Sequence, residues 1–320
     1  MRIVMFMASR YGLECYRAIK DMENVEVAGI LTPPEQFVLR YESVKTKNMD
    51  NAIYREVIAE HEINDVPIYV TDKMNDKTSV CSVQNWNPDL IVVSGWYHII
   101  KKEILDIPPK GIIGLHSSLL PHYRGGAPLV WQLINGESKA GITLFYMEEG
   151  TDTGDIIGQK EVLIEENDDI GTLYKKVGEE GITLLKKYIP QIANNCAPRK
   201  KQVEIEKHRV YPQRKKEDGR IDWSKPPVSI YNFVRAQTKP YPGAFSFYKG
   251  YQVFIWKCKV VSIKEKQDDF AGKVADIWEQ DGKTYPVIST KEQGYGIQII
   301  DYSLQPEDIN VEIKKGECFI

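Results

Sequence analysis

His116 and Asp152 offer this sequence an imidazole and a carboxylate suited to moving a proton. His116 follows the apolar run at 111–115 and enters a loop set by proline and glycine, within Gly114-Leu-His-Ser-Ser-Leu-Leu-Pro-His-Tyr-Arg-Gly-Gly126. That run predicts a short buried strand, which puts the imidazole at a strand's carboxyl end, where open α/β sheets hold their ligands. Asp152 lies in Glu148-Glu-Gly-Thr-Asp-Thr-Gly-Asp155, just after a second predicted strand at 141–147. Two neighbouring strand ends would then bring imidazole and carboxylate together. An imidazole of pKa about 6.5 passes protons at neutral pH, and an adjoining carboxylate orients the ring and stabilises its cationic form. Taken singly, a histidine at a strand end is ordinarily structural and an aspartate in Thr-Asp-Thr-Gly is ordinarily a turn former. The pairing is what suggests catalysis.

The elements that must position this pair read as an α/β fold, a Rossmann-like and mostly parallel sheet followed by a smaller β-rich domain. A strand at 2–7, an amphipathic helix near 12–22 and a strand at 25–31 open a βαβ layer. Strands at 68–70 and 89–94 follow, the second after Asn87-Pro88, and its continuous Leu-Ile-Val-Val suits burial on both faces. A helix at 126–135 has Pro128 near its first turn and Gly136 past its last residue. Strands at 141–147 and 155–163 lead into a long helix from about 169 to 194, with Asp168-Asp169 at the positive end of its dipole. Periodicity breaks at 194–201, so the domains are expected at 1–198 and 199–320. Strand-like runs at 252–255, 259–263, 285–288 and 297–302, with a helix near 226–236, predict a small OB-like barrel. Residues 33–50 read as a mixed-charge insertion.

Composition narrows the function classes. At 320 residues, 42% hydrophobic and 27% charged, the chain has the makeup of a globular protein with room for two cores. Its opening apolar run ends within a few residues at Ser9 and Arg10, too short for a signal segment or a membrane span, so a cytoplasmic protein is expected. Five scattered cysteines with no Cys-x-x-Cys pair imply reduced thiols and no metal site. Neither a dinucleotide fingerprint nor a P-loop follows the first strand, which argues against NAD or ATP use. Residues 1–198 carry 20 Lys/Arg against 28 Asp/Glu, and 199–320 carry 22 against 17. The mildly basic second part could help hold an anionic acceptor.

His-Ser-Ser-Leu-Leu-Pro-His-Tyr-Arg-Gly-Gly-Ala-Pro followed by Thr-Asp-Thr-Gly-Asp-Ile-Ile resembles the formyltransferases that use 10-formyltetrahydrofolate. The family pattern is Asn-x-His, then Ser-Leu-Leu-Pro-x-Tyr/Trp-x-Gly, then an Asp 36 residues past the His, a spacing that His116 and Asp152 keep. Gly219-Arg-Ile-Asp-Trp-Ser-Lys225, Val234-Arg-Ala and Pro240-Tyr-Pro-Gly-Ala244 resemble its C-terminal domain, so the likeness spans nearly the whole chain. It implies formyl transfer from the folate to a primary amine, through a tetrahedral intermediate, with His116 and Asp152 catalytic and no metal. By the same resemblance Tyr97, His98, Ile99 and Ile100 line the folate pocket with Glu148, Gly150 and Thr151, while Arg124 and Arg214 contact the acceptor. A homodimer and the absence of any membrane contact also fit. One residue departs from the pattern: Gly114 stands where the family has Asn, whose amide would help bind the formyl oxygen.

Three readings of the function follow. The first acceptor is a nucleotide-linked amino sugar, because Gly126-Ala-Pro-Leu-Val-Trp-Gln-Leu-Ile-Asn-Gly136 resembles the arabinose-type sugar enzymes and the N-terminal part is acidic. The second is methionyl-tRNA, for which a strongly basic loop would be expected. The third, motivated by Gly114, is a folate-binding module without turnover.

Overall fold

The apolar runs that open the chain pair side by side as parallel strands. The structure, a computed structural model, describes residues 1–41, 44–203, 210–264, 270–306 and 311–320. The chain forms two compact units: residues 1–124, 141–161 and 177–210 make one, and 125–140, 162–176 and 211–320 the other.

In the first unit β1 (Arg2–Met7) is buried from Ile3 onward. Ser9 caps α1 (Arg10–Lys20) by accepting from the Gly12 amide at 3.3 Å, and the buried Leu13, Tyr16 and Ile19 give that helix one apolar face. It packs on β1, β2 (Glu26–Thr32) and β6 (Leu90–Ser94). Residues 33–50 are an antiparallel hairpin of β3 (Gln36–Tyr41) and β4 (Val44–Asp50), whose residues 42 and 43 lie outside the described residues. Asn51 fastens the hairpin's base. Its Nδ2 donates to Thr32 Oγ1 and to the Pro33 carbonyl, and it is 4% exposed. Then come α2 (Tyr54–Asn64), β5 (Ile68–Val70), α3 (Lys77–Asn85), the short α4 (Lys102–Leu105) and β7 (Ile112–His116).

Among the described residues the sheet has seven strands in the order β5-β2-β1-β6-β7-β8-β9, with β8 (Lys139–Tyr146) and β9 (Ile156–Leu163) at one side. The first five run parallel, and the order reverses between β1 and β6, the position at which such sheets open a crevice at the carboxyl ends. β8 runs antiparallel to β7, pairing His116 with Thr143 and Ile113 with Tyr146. The long helix α6 (Ile170–Ala193) follows β9.

In the second unit α5 (Pro128–Ile134) packs on α7 (Pro227–Gln237), and α7 covers β11 (Tyr251–Ser262) of an antiparallel sheet. That sheet also holds β10 (Ala244–Tyr248), β12 (Val274–Gln280), β13 (Lys283–Ser289) and β14 (Tyr295–Gln305), in the order β10-β11-β14-β13-β12. The last residues close it into a barrel. Phe247 and Ile320 exchange backbone hydrogen bonds at β10, while the Val274 amide donates to the Glu317 carbonyl and the Phe319 amide to the Gly272 carbonyl at β12. Phe319 is 3% exposed and packs on Trp223 and Tyr248. The two runs read at 252–255 and 259–263 are one strand, β11. Register shifts between Ile255 and Cys258 break its alternation, as a β-bulge does.

Candidate active site

His116 ends β7 with its side chain 9% exposed. Its Nε2 lies 2.8 Å from the Tyr123 carbonyl, which can only accept, so Nε2 carries a hydrogen. Nδ1 faces Asp152 Oδ2 at 3.6 Å, an ion-pair distance too long for a direct hydrogen bond. A second proton taken up by the ring therefore goes to Nδ1, against a carboxylate. Residues the sequence did not single out hold the loop that supplies the Tyr123 carbonyl. Thr143, fully buried on β8, donates to the Ser118 carbonyl at 2.6 Å and accepts from the Leu120 amide at 3.0 Å, and Gln159 bonds both Thr143 and the Leu120 carbonyl.

Asp152 reaches this imidazole by a route other than adjacent strand ends. Because β8 is antiparallel to β7, its carboxyl end lies beside Ile113, and the Met147 amide donates to the Ile112 carbonyl. At about 3.3 Å per residue that is roughly 10 Å short of His116, a gap that the arch of residues 147–155 and the imidazole span together. The arch closes where the Tyr146 amide donates to the Asp155 carbonyl, and a Cβ on Gly154 would overlap the Tyr146 carbonyl oxygen. Glu148, Gly150 and Thr151 are exposed on this arch. Asp152 has φ 54°, the left-handed region that Asp tolerates better than most residues.

The segment Ser94–Ile100 leaves β6 at the carboxyl edge of the same sheet. Gly95 has φ 60° and a Cβ there would overlap Ser9 Oγ, so glycine lets the segment pass the start of α1. Asn75 grips the segment's far end, donating to the Ile99 carbonyl at 2.8 Å and accepting from the Lys101 amide at 3.0 Å. Ile100 is buried and Ile99 is 74% exposed. Trp96 packs on Phe6 and His98, and Phe37 of the β3–β4 hairpin lies against both Tyr97 and His98. Trp96 Nε1 and His98 Nε2 are buried with no hydrogen-bond partner among the described residues.

Burial holds the His98 imidazole below its usual range, opposed by Asp72, and burial raises the Tyr97 phenol. The unfolded histidine titrates near 6.5. Between that value and the lower folded one the unfolded chain binds more protons, so stability is full above the window and is lost as pH falls through it. His98→Gln should flatten the fall of melting temperature between pH 7 and pH 5. Parallel curves for the two proteins would refute the burial argument.

The two candidate acceptor residues have partners within their own units. Arg124 donates through Nε at 3.1 Å and Nη2 at 2.5 Å to Gln202 Oε1. Arg214 donates to the Asp218 carbonyl and to Gln237 Oε1, and its guanidinium lies over Trp131 at 4.8 Å. Burial lowers its pKa, and its Nε has no partner among the described residues. Among the described residues no group of three or more His, Cys, Asp or Glu could hold a metal ion, and no helix is long and apolar enough to cross a membrane. Cys15 and Cys258 are buried thiols pushed up to about 12 by desolvation.

Comparison with known proteins places the chain in a family. A formyl transferase family model matches residues 1–189, and a formyl transferase C-terminal domain model matches 214–309. A methionyl-tRNA formyltransferase of Clostridioides difficile is 35% identical over 98% of this chain and 94% of its own length. Two solved structures share the fold. The N-formyltransferase from Helicobacter canadensis, in complex with folinic acid and dTDP-3-aminofucose, has a TM-score of 0.60 at 19% identity, covering 93% of this chain and 98% of that one. Methionyl-tRNA formyltransferase from Clostridium thermocellum has a TM-score of 0.57 at 18% identity, covering 91% and 98%. With both models matched and a relative of that identity along nearly its whole length, this chain belongs to the formyl transferase family.

Proposed function

We propose that the chain transfers the formyl group of 10-formyltetrahydrofolate to the amine of methionyl-tRNA. The observation that carries the acceptor is the 35% identity to a methionyl-tRNA formyltransferase across 98% of the chain. This reverses the order of acceptors read from the sequence, where the 126–136 segment put an amino sugar first. The sugar enzymes are alike in fold at 19% identity, a likeness that says nothing of the acceptor.

10-Formyltetrahydrofolate supplies a one-carbon unit bonded to a nitrogen that departs as an amine. Tyr97, His98, Ile99 and Ile100, with the arch at Glu148, Gly150 and Thr151, hold its ring. His116 takes the proton of the attacking amine at Nδ1 and returns a proton to the departing nitrogen. The Tyr123 carbonyl holds the ring, and Asp152 balances its charge while the proton is there. Arg124 and Arg214 are the cations assigned to the acceptor. The two modules are assigned to 1–198 and 199–320.

The test offers 10-formyltetrahydrofolate with charged initiator tRNA, and separately with a panel of nucleotide-linked amino sugars, and reads products by mass. Formyl-methionyl-tRNA is expected, with binding that weakens steeply as salt rises. Product on a sugar alone would reinstate the amino-sugar reading. Folate binding without product on either acceptor would support the non-catalytic module.

A further inference from the structure

We infer that Gln202 is a positioning residue that clamps both segments holding the catalytic imidazole, an inference that rests on the His116–Asp152 reading proposed above. Gln202 Nε2 donates to the Asp152 carbonyl and to the Gly154 carbonyl, each at 2.8 Å. Its Oε1 accepts from Arg124 Nε and Nη2. Both amide hydrogens and the carbonyl oxygen are therefore engaged. The orientation of the amide is unambiguous, because a guanidinium only donates and the two backbone carbonyls only accept.

The segments it joins lie on opposite sides of the ring. Arg124 follows Tyr123, whose carbonyl takes the Nε2 hydrogen, and the other two bonds pin the turn that aims Asp152 at Nδ1. Tyr123 and Asp152 both have positive φ, 56° and 54°. Residues with a Cβ keep that conformation only where their surroundings enforce it. At Asp152 the two bonds from Gln202 hold the strained residue's own carbonyl and that of Gly154 two residues on. The clamp is itself located by pairing. Lys200 exchanges two backbone hydrogen bonds with Ile156 at the start of β9, and the Arg199 guanidinium lies 3.7 Å from the centre of the Tyr146 ring. A stretch that reads as a connector between domains thus supplies a side chain to the catalytic turn.

The variants Gln202→Glu and Gln202→Leu, in the full chain, separate the two halves of the clamp. Glutamate keeps an acceptor for Arg124 but sets a carboxylate oxygen against two carbonyls, and leucine removes both sets of bonds. Each variant should lower kcat about 10- to 100-fold, as for a displacement of about 1 Å at a catalytic group, with KM for the folate held within about twofold. An equal loss in the two assigns the effect to the turn rather than to Arg124. A kcat within about twofold of the parent in either variant, or a loss that only follows the fraction of unfolded protein, overturns the inference. Asp152→Ala is measured alongside. If it keeps the parental kcat, the catalytic reading itself fails, and Gln202 is then judged by NMR of the histidine ring nitrogens without substrate. Displacement of the His116 signals in Gln202→Leu would uphold the clamp, and unchanged signals would overturn it.

Discussion

His116→Ala should lower kcat by about 10² to 10⁴ while folate binding survives, the range that positioned proton transfer contributes. The ring sits between two groups that fix what it can do, a carbonyl that keeps a hydrogen on Nε2 and a carboxylate that receives the charge when Nδ1 is protonated. Asp152→Ala should lose a comparable factor, because the protonated imidazole then loses its counter-charge. Since the two act as one device, the double variant should be scarcely slower than the worse single one. Removing His116 also takes away the hydrogen bond from its Nε2 to the Tyr123 carbonyl and leaves a space at the end of β7, so some stability is lost. The assay therefore runs well below the melting temperature with the folded fraction measured. A single variant with near-parental kcat would end the role given to its residue, and fully additive losses would mean that the two act separately.

The second large effect is expected at Gly114. It lies two residues before His116 on β7 and so presents the same face of the strand, where the family pattern places an asparagine amide. Its backbone is not among the positive-φ glycines, so a side chain is conformationally acceptable there. Space is the obstacle. A Cβ would stand 3.2 Å from Met147 Sδ, 3.3 Å from Met147 Cγ and 3.4 Å from the Phe145 ring. Methionine has three rotatable bonds and yields more readily than the ring, so the informative variant pairs Gly114→Asn with Met147→Ala. If the glycine leaves the formyl oxygen without one donor, restoring it is worth about 2.7 to 4 kcal/mol, or about 10² to 10³ in rate. The double variant should therefore exceed Met147→Ala alone in kcat by a large part of that factor. A fall in kcat with the fold intact would mean that the pocket is built around glycine and that the oxygen is held by other groups.

Family and layered fold were legible in the residues alone. The continuous apolar runs specify the strands at 2–7, 90–94 and 112–116. The His116 and Asp152 motifs lie in short stretches whose residue types are readable without partners. Pairing direction is not readable in that way, because antiparallel and parallel neighbours share one period along the chain. Folding alone reveals that β8 runs against β7 and that Asp152 must arch back to its imidazole. It also decided that residues 33–50 form a hairpin bringing Phe37 onto His98, and that Asn75 and Gln202 brace the site. Gln202 lies 50 residues from Asp152 and 78 from Arg124 along the chain. A contact made across such separations leaves no local pattern in the sequence, because folding alone brings its partners within reach.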